Sequence, residues 1–161
     1  MTNNIDLSSV APLAEMAGDS NEDTALLQRM AADAEKYLLG FAWCEAIRER
    51  YFECGVGGVV AVFLFRIAPQ ANVDEYLWVV VGDVPPAYLV IDGNKNPTLA
   101  LRSYIDEMRK WVAAAEAGQS VHELIPVNAP ATFEVAQSLK TRLDFIEAEI
   151  VPSCVERRLP T

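Results

Sequence analysis

The chain has 161 residues, 52% of them hydrophobic, which suits one domain with a sizeable core and is too apolar for a disordered segment. It carries 13 basic and 23 acidic residues, a formal net charge of −10. Such a surface repels nucleic-acid phosphates and anionic lipid, so the composition argues against nucleic acid and membrane as partners and favours a basic protein.

Residues 1–19 read as an N-terminal arm, too short to hold a helix without docking. Ser20 opens "SNED" as an N-cap, with Asp23 three residues on as an imperfect capping box. Apolar residues then recur at Leu27, Met30, Ala34, Tyr37, Phe41, Cys44, Ile47, Tyr51 and Cys54 in steps of three or four. That spacing predicts one long helix, or two nearly collinear pieces meeting at Gly40, stopped by the glycines of "GVGG", 55–58. A strand reading of "FAWCEAIRERYF" competes, because Trp43, Ile47 and Tyr51 share parity. It puts Glu45 and Glu49 on the apolar side with no evident partner, and the helix is preferred for that reason.

Three β-rich segments follow, at 59–67, 76–81 and 87–91, joined by links short enough for an antiparallel meander. The first two are apolar on both parities, which requires cover on both faces. "NPTLALRSYIDEMRKWVAAAEAG" predicts a helix with Asn96 as cap, Pro97 in its first turn and Gly118 at its end. Leu101, Tyr104, Ile105, Met108, Trp111, Val112 and Ala115 form its buried stripe. A last helix is predicted from Thr132 to Ile150, with Val135, Leu139, Leu143, Ile146 and Ile150 inward. The expected fold is α+β: a long N-terminal helix, a three-stranded antiparallel meander and two C-terminal helices packed on the sheet. The expected organisation is an arm at 1–19, a single α+β domain at 20–151 and a C-terminal tail at 152–161 carrying Arg157 and Arg158.

Chemistry-bearing patterns are sparse. Cys44, Cys54 and Cys154 form no C-x-x-C pair and are odd in number, which points to free buried thiols and a reducing compartment. On one helix, Cys44 and Cys54 would stand ~15 Å apart and could not bond. The first twenty residues lack a basic n-region, and no apolar run approaches the ~20 residues of a membrane span, so a cytoplasmic location is expected. "GVGG" follows a predicted helix and precedes a strand, the reverse of a phosphate loop. Glu45, Glu49 and Glu53 recur at every fourth position and read as a solvated ridge paired with Arg48 and Arg50. His122 is the only histidine, so neither a triad nor a histidine-rich metal site can be assembled. No catalytic residue, metal or cofactor is assigned.

The junction "GDVPP", 82–86, carries the acid whose purpose is least obvious. Gly82 can leave the strand at positive φ, Asp83 can bond its own backbone, and Pro85 forces Val84 to be extended. Every residue has a backbone role, so Asp83 is read as a turn residue. Glu75 and Asp92 lie near the opposite end of the hairpin. Glu75, Asp83, Asp92 and His122 are the candidate ligand-binding residues, with a cleft near the loop 68–74 as the expected place.

The run "GGVVAVFLFRI … DEYLWVVVGDVPPAYLVID", continuing into "YIDEMRKWV" and "IPVN", resembles a family of uncharacterised bacterial proteins over most of residues 43–150. The resemblance implies a bacterial, intracellular protein and brings no activity, cofactor or site. The expected function is a non-enzymatic cytoplasmic interaction protein (inhibitor, immunity-type or regulatory) with a basic partner. The alternative is a small ligand binder or enzyme using carboxylates with His122. A two-fold homodimer is also expected: helices confined to one side would leave an apolar sheet face for a second copy to cover.

Overall fold

The structure, a computed structural model, describes residues 7, 10–68, 75–90 and 100–158. It is α+β. Strand β1 (Ala11–Pro12) and a single 3-10 turn precede helix α1 (Asn21–Leu39). Strands β2 (Ile47–Val56), β3 (Val60–Ile67), β4 (Tyr76–Gly82) and β5 (Ala87–Val90) follow, then helices α2 (Ala100–Glu116), α3 (Phe133–Phe145) and α4 (Val151–Arg158). The strands form one antiparallel sheet in sequence order, β1-β2-β3-β4-β5. The three expected strands are β3, β4 and β5; β1 and β2 extend the sheet to five.

The centre of the sheet is β3, and its alternation builds two cores. Ala61, Phe63, Phe65 and Ile67 pack with Leu27, Ala34 and Leu38 of α1. Val60 and Val62 pack with Tyr104, Met108 and Trp111 of α2 and with Leu139 and Leu143 of α3. Each fully buried Val, Leu, Ile, Phe or Met side chain among these contributes about 1.5–3 kcal/mol. Helices therefore lie on both faces, so among the described residues the bare sheet face from which a dimer was expected is covered from within the chain.

The long N-terminal helix is corrected. Ser20 caps α1 as expected, its Oγ accepting from the Asp23 N–H at 3.1 Å, but the helix ends at Leu39. Residues 47–56 are strand instead. Of the two acids that weigh against that strand, Glu45 precedes it and is exposed, and pairing satisfies Glu49. Glu49 stands opposite Arg66 of β3 and accepts hydrogen bonds from that guanidinium and from the Tyr51 hydroxyl. Arg50, on the other face, reaches Glu35 of α1 at 2.8 Å. The period of two is hidden by a bulge at Glu53: Phe52 pairs with Phe63 on the α1 side, while Cys54 pairs with Val62 on the α2 side. Glu53 itself is only 3% exposed. "GVGG" is consequently the end of β2 and the start of the hairpin turn, 57–59, that leads into β3, with Gly58 at φ +80°. The expected arm also contributes: Ala11 pairs with Phe52 and Pro12 with Tyr51, and Met16 is buried against α1.

The helical half follows its stripes. All seven residues of the predicted inner face of α2 are buried, and Gly118 closes the helix at φ +68°. The Asn96–Pro97 start lies outside the described residues. Thr132 caps α3, its Oγ1 accepting from the Val135 N–H at 3.2 Å. Beyond Phe145 the helix widens into a π turn, Ile146–Ile150, in which the Val151 N–H bonds the Ile146 carbonyl. The wide turn directly precedes Pro152, whose ring has no N–H and crowds the preceding carbonyls of an ordinary helix. The chain expected as a tail runs on as α4 and buries Cys154.

Cys154 is bonded to Cys54, 100 residues away, with both sulfurs in the α2-side core. The expectation of three free thiols holds only for Cys44, which is buried and whose thiol burial pushes up in pKa. Among the described residues, no helix is long and apolar enough to cross a membrane.

Candidate functional site

At the end of β4 the backbone leaves the sheet through Gly82 at φ +144°. A Cβ there would sit 2.3 Å from the Val59 carbonyl oxygen, so only glycine fits. The Asp83 N–H then donates to that same carbonyl at 2.9 Å. The chain rises as a ridge, Gly82–Pro86, tied from three directions. The β2–β3 turn holds Asp83 through its backbone. The Tyr104 hydroxyl of α2 donates to the Pro85 carbonyl. Arg142 of α3 donates through Nε to Asp83 Oδ2 at 3.1 Å.

A groove lies on each side of the ridge. One, of about 490 Å³, is walled by Met30, Asp33 and Tyr37 of α1, by Gly58, and by Val81–Val84 and Pro86. The other, of about 360 Å³, is walled by Val127, Ala129, Val135, Ser138, Leu139 and Arg142. Gly82, Asp83 and Val84 border both. Among the described residues, the first groove is lined by two carboxylates, Asp33 and Asp83, and by no basic side chain. The Tyr37 phenol in its wall is pushed up in pKa to about 12, first by burial and then by the neighbouring Tyr88 phenol, against a hydrogen bond from the Tyr88 backbone. It is therefore a neutral hydroxyl. Its ring heads an aromatic group: Tyr37 meets Phe41 edge-on at 5.3 Å, and Phe41 stacks on Trp43 at 5.0 Å.

Of the four sequence candidates, the three among the described residues, Glu75, Asp83 and His122, are not brought together. Asp83 is the one that borders the grooves. Its side chain is 69% exposed and that of Arg142 42%, so their ion pair contributes about 0–1 kcal/mol. Glu75 precedes the far end of β4, ~26 Å of strand away from Asp83. There its Oε1 accepts from Arg66 Nε at 2.8 Å, and Arg66 lies between Glu75 and Glu49 with its guanidinium 6.0 Å from the Tyr76 ring centre. Two acids hold one arginine, which is a structural clamp. Asp92 lies outside the described residues, as does most of the 68–74 loop expected to close a cleft over it. His122 is exposed in the turn after α2, its backbone N–H bonding Ser120 Oγ at 3.2 Å, and it lines neither groove. Among the described residues, no group of three or more His, Cys, Asp or Glu side chains is placed to hold a metal ion.

Sequence reasoning missed Asp33, Tyr37 and Arg142. Tyr37 was assigned to the buried stripe, where its hydroxyl edge was not distinguished from its ring. Nothing local to Arg142 points to an aspartate 59 residues upstream. Comparison with protein-family models, with curated proteins and with solved structures finds no match.

Proposed function

We propose that this chain is a non-enzymatic interaction protein that receives a basic segment of a partner. The observation that carries the reading is the acidic groove between α1 and the Gly82–Pro86 ridge, on a chain of formal net charge −10. Opposed charge of that kind selects partners and speeds their encounter. Affinity capture with the intact chain tests it. Recovery of one basic protein, released by salt and not captured by a chain with Asp33 and Asp83 changed to asparagine, supports it. Failure to retain any basic protein in low salt sinks it.

A second reading, a small-ligand binder, is favoured by the size of the same groove, since about 490 Å³ suits a metabolite. A thermal-shift panel of metabolites and metals separates the two, because a ligand at one hundred times its Kd adds about 2.7 kcal/mol. The reducing compartment expected from three free thiols loses that support. The Cys54–Cys154 bond favours an oxidising compartment.

A further inference from the structure

We propose that the groove between α1 and the ridge takes the side chain of a lysine or arginine from that partner, and that Arg142 is the chain's own competitor for Asp83. This rests on the interaction-protein reading and assigns its contact. Met30, Val81, Val84 and Pro86 offer apolar walls to an aliphatic stem, while Asp33 and Asp83 offer carboxylates to its charged head. Lysine and arginine bury stems and keep heads polar in this way. The groove is kept open by backbone: a side chain at Gly82 would collide with the Val59 carbonyl, and beside Gly58 there is open space.

Asp83 already has a cation, Arg142, reaching it from the opposite side. That pair is exposed on both partners and therefore weak and screened by salt. Arg142 also has acceptors of its own, donating through Nη1 to the Ser138 carbonyl at 3.1 Å and to the Ser138 hydroxyl. It is not left bare when Asp83 turns to a new partner. An incoming cation gains the second carboxylate of Asp33 and the walls of Met30 and Val81, which line the first groove and not the groove of Arg142. Exchange of Arg142 for the ligand's head is the step that couples the two grooves.

The test uses the intact chain and a fluorescent tetra-arginine peptide, with binding followed by anisotropy in low salt. Arg142→Gln should tighten binding about three- to five-fold, the fold-change that corresponds to removing a weak exposed competitor. Arg102→Gln, which removes the same charge from the surface of α2, should change it less than about two-fold. Asp33→Asn and Asp83→Asn should each weaken binding about five-fold or more. In an Asp83→Asn background, Arg142→Gln should have no further effect. Equal tightening by Arg142→Gln and Arg102→Gln would overturn the exchange, because the acidic surface as a whole would then be responsible. Binding indifferent to both Asp33→Asn and Asp83→Asn would overturn the site and leave the interaction reading standing. No binding of the peptide at all would overturn both. Asp33 is exposed on α1, so its variant reads the site without disturbing the fold.

Discussion

The Asp23 carboxylate accepts a hydrogen bond from the Gly57 N–H at 2.6 Å, joining the first turn of α1 to the tip of the β2–β3 hairpin. Its other oxygen accepts from the Asp19 N–H at 2.9 Å. One side chain thus satisfies a donor at the helix entrance and a donor in a turn that packs against the same helix. The hairpin is held a second time by Met30, whose sulfur accepts from the Gly58 N–H at 3.4 Å.

Substitutions at this contact should separate space from bonding. A Cβ at Gly57 would lie 2.6 Å from Leu26 Cβ and 2.8 Å from Asp23 Oδ1, so Gly57→Ala should cost about 1–3 kcal/mol. Asp23→Ala loses two hydrogen bonds and should cost about 1–3 kcal/mol, with Asp23→Asn between it and wild type. Urea midpoints at constant slope measure all three. A Gly57→Ala midpoint equal to wild type would mean that the hairpin tip does not rest on α1.

The Cys54–Cys154 bond ties β2 to α4 across 100 residues. Loops of that length are where cross-links restrict the unfolded chain most, and Cys54→Ala with Cys154→Ala should lose about 2–5 kcal/mol. Chain expressed under oxidising conditions, denatured without reductant and alkylated, should take one label, at Cys44. Three labels on such material would show that the bond does not form in solution.

How much of this was readable from the sequence depended on whether local pattern and tertiary contact agreed. They agree in α2, where a stripe at helical spacing faces a continuous core. They agree in β3 and β4, whose β-branched and aromatic runs leave no other choice. They disagree in β2. The bulge at Glu53 breaks the period of two, and steps of three and four happen to continue the stripe of α1 through residues 41–54. Glu49, one of the acids that weighed against a strand, finds Arg66 only after β2 and β3 are paired, and finds the Tyr51 hydroxyl two residues on once β2 is extended. The same holds for the candidate site. "GDVPP" announced a turn correctly, but its neighbours on α1 and α3 are visible only once the sheet is covered on both faces.

The Glu49–Tyr51–Arg66 group makes a pH prediction with two limbs. The Tyr51 hydroxyl and then Arg66 hold the Glu49 carboxyl below its ordinary range. A lowered carboxyl contributes stability above its unfolded value, ~4.3, and that contribution is lost as pH falls through the lower folded value. Tyr51 is the mirror case. Its hydrogen bond to Glu49 pushes it up to about 12. Its contribution is complete below the unfolded value of ~10 and is lost as pH rises through the higher folded one. Glu49→Gln should therefore flatten both the acid and the alkaline limb of a plot of urea midpoint against pH. A variant that keeps both limbs as steep as wild type would place the titrating groups elsewhere.

The ridge Gly82–Pro86 has two side-chain ties of different kind, and their ranking bears on whether a ligand can enter beside it. Tyr104 is buried and donates its hydroxyl to the Pro85 carbonyl; burial pushes that phenol well above its ordinary pKa, so it stays a donor across the accessible range. Tyr104→Phe removes the donor and strips the carbonyl of its partner, which should cost about 1–2 kcal/mol. The Asp83–Arg142 pair is exposed, and Asp83→Asn should cost less than about 1 kcal/mol, since asparagine supports the same turn. Chemical denaturation of the two variants side by side measures the order. If Tyr104→Phe is the costlier, the ridge is anchored from beneath and Asp83 is able to exchange partners without loosening it. If Asp83→Asn is the costlier, the ion pair is a structural tie, and displacement of Arg142 by an incoming cation would loosen the ridge that walls the groove.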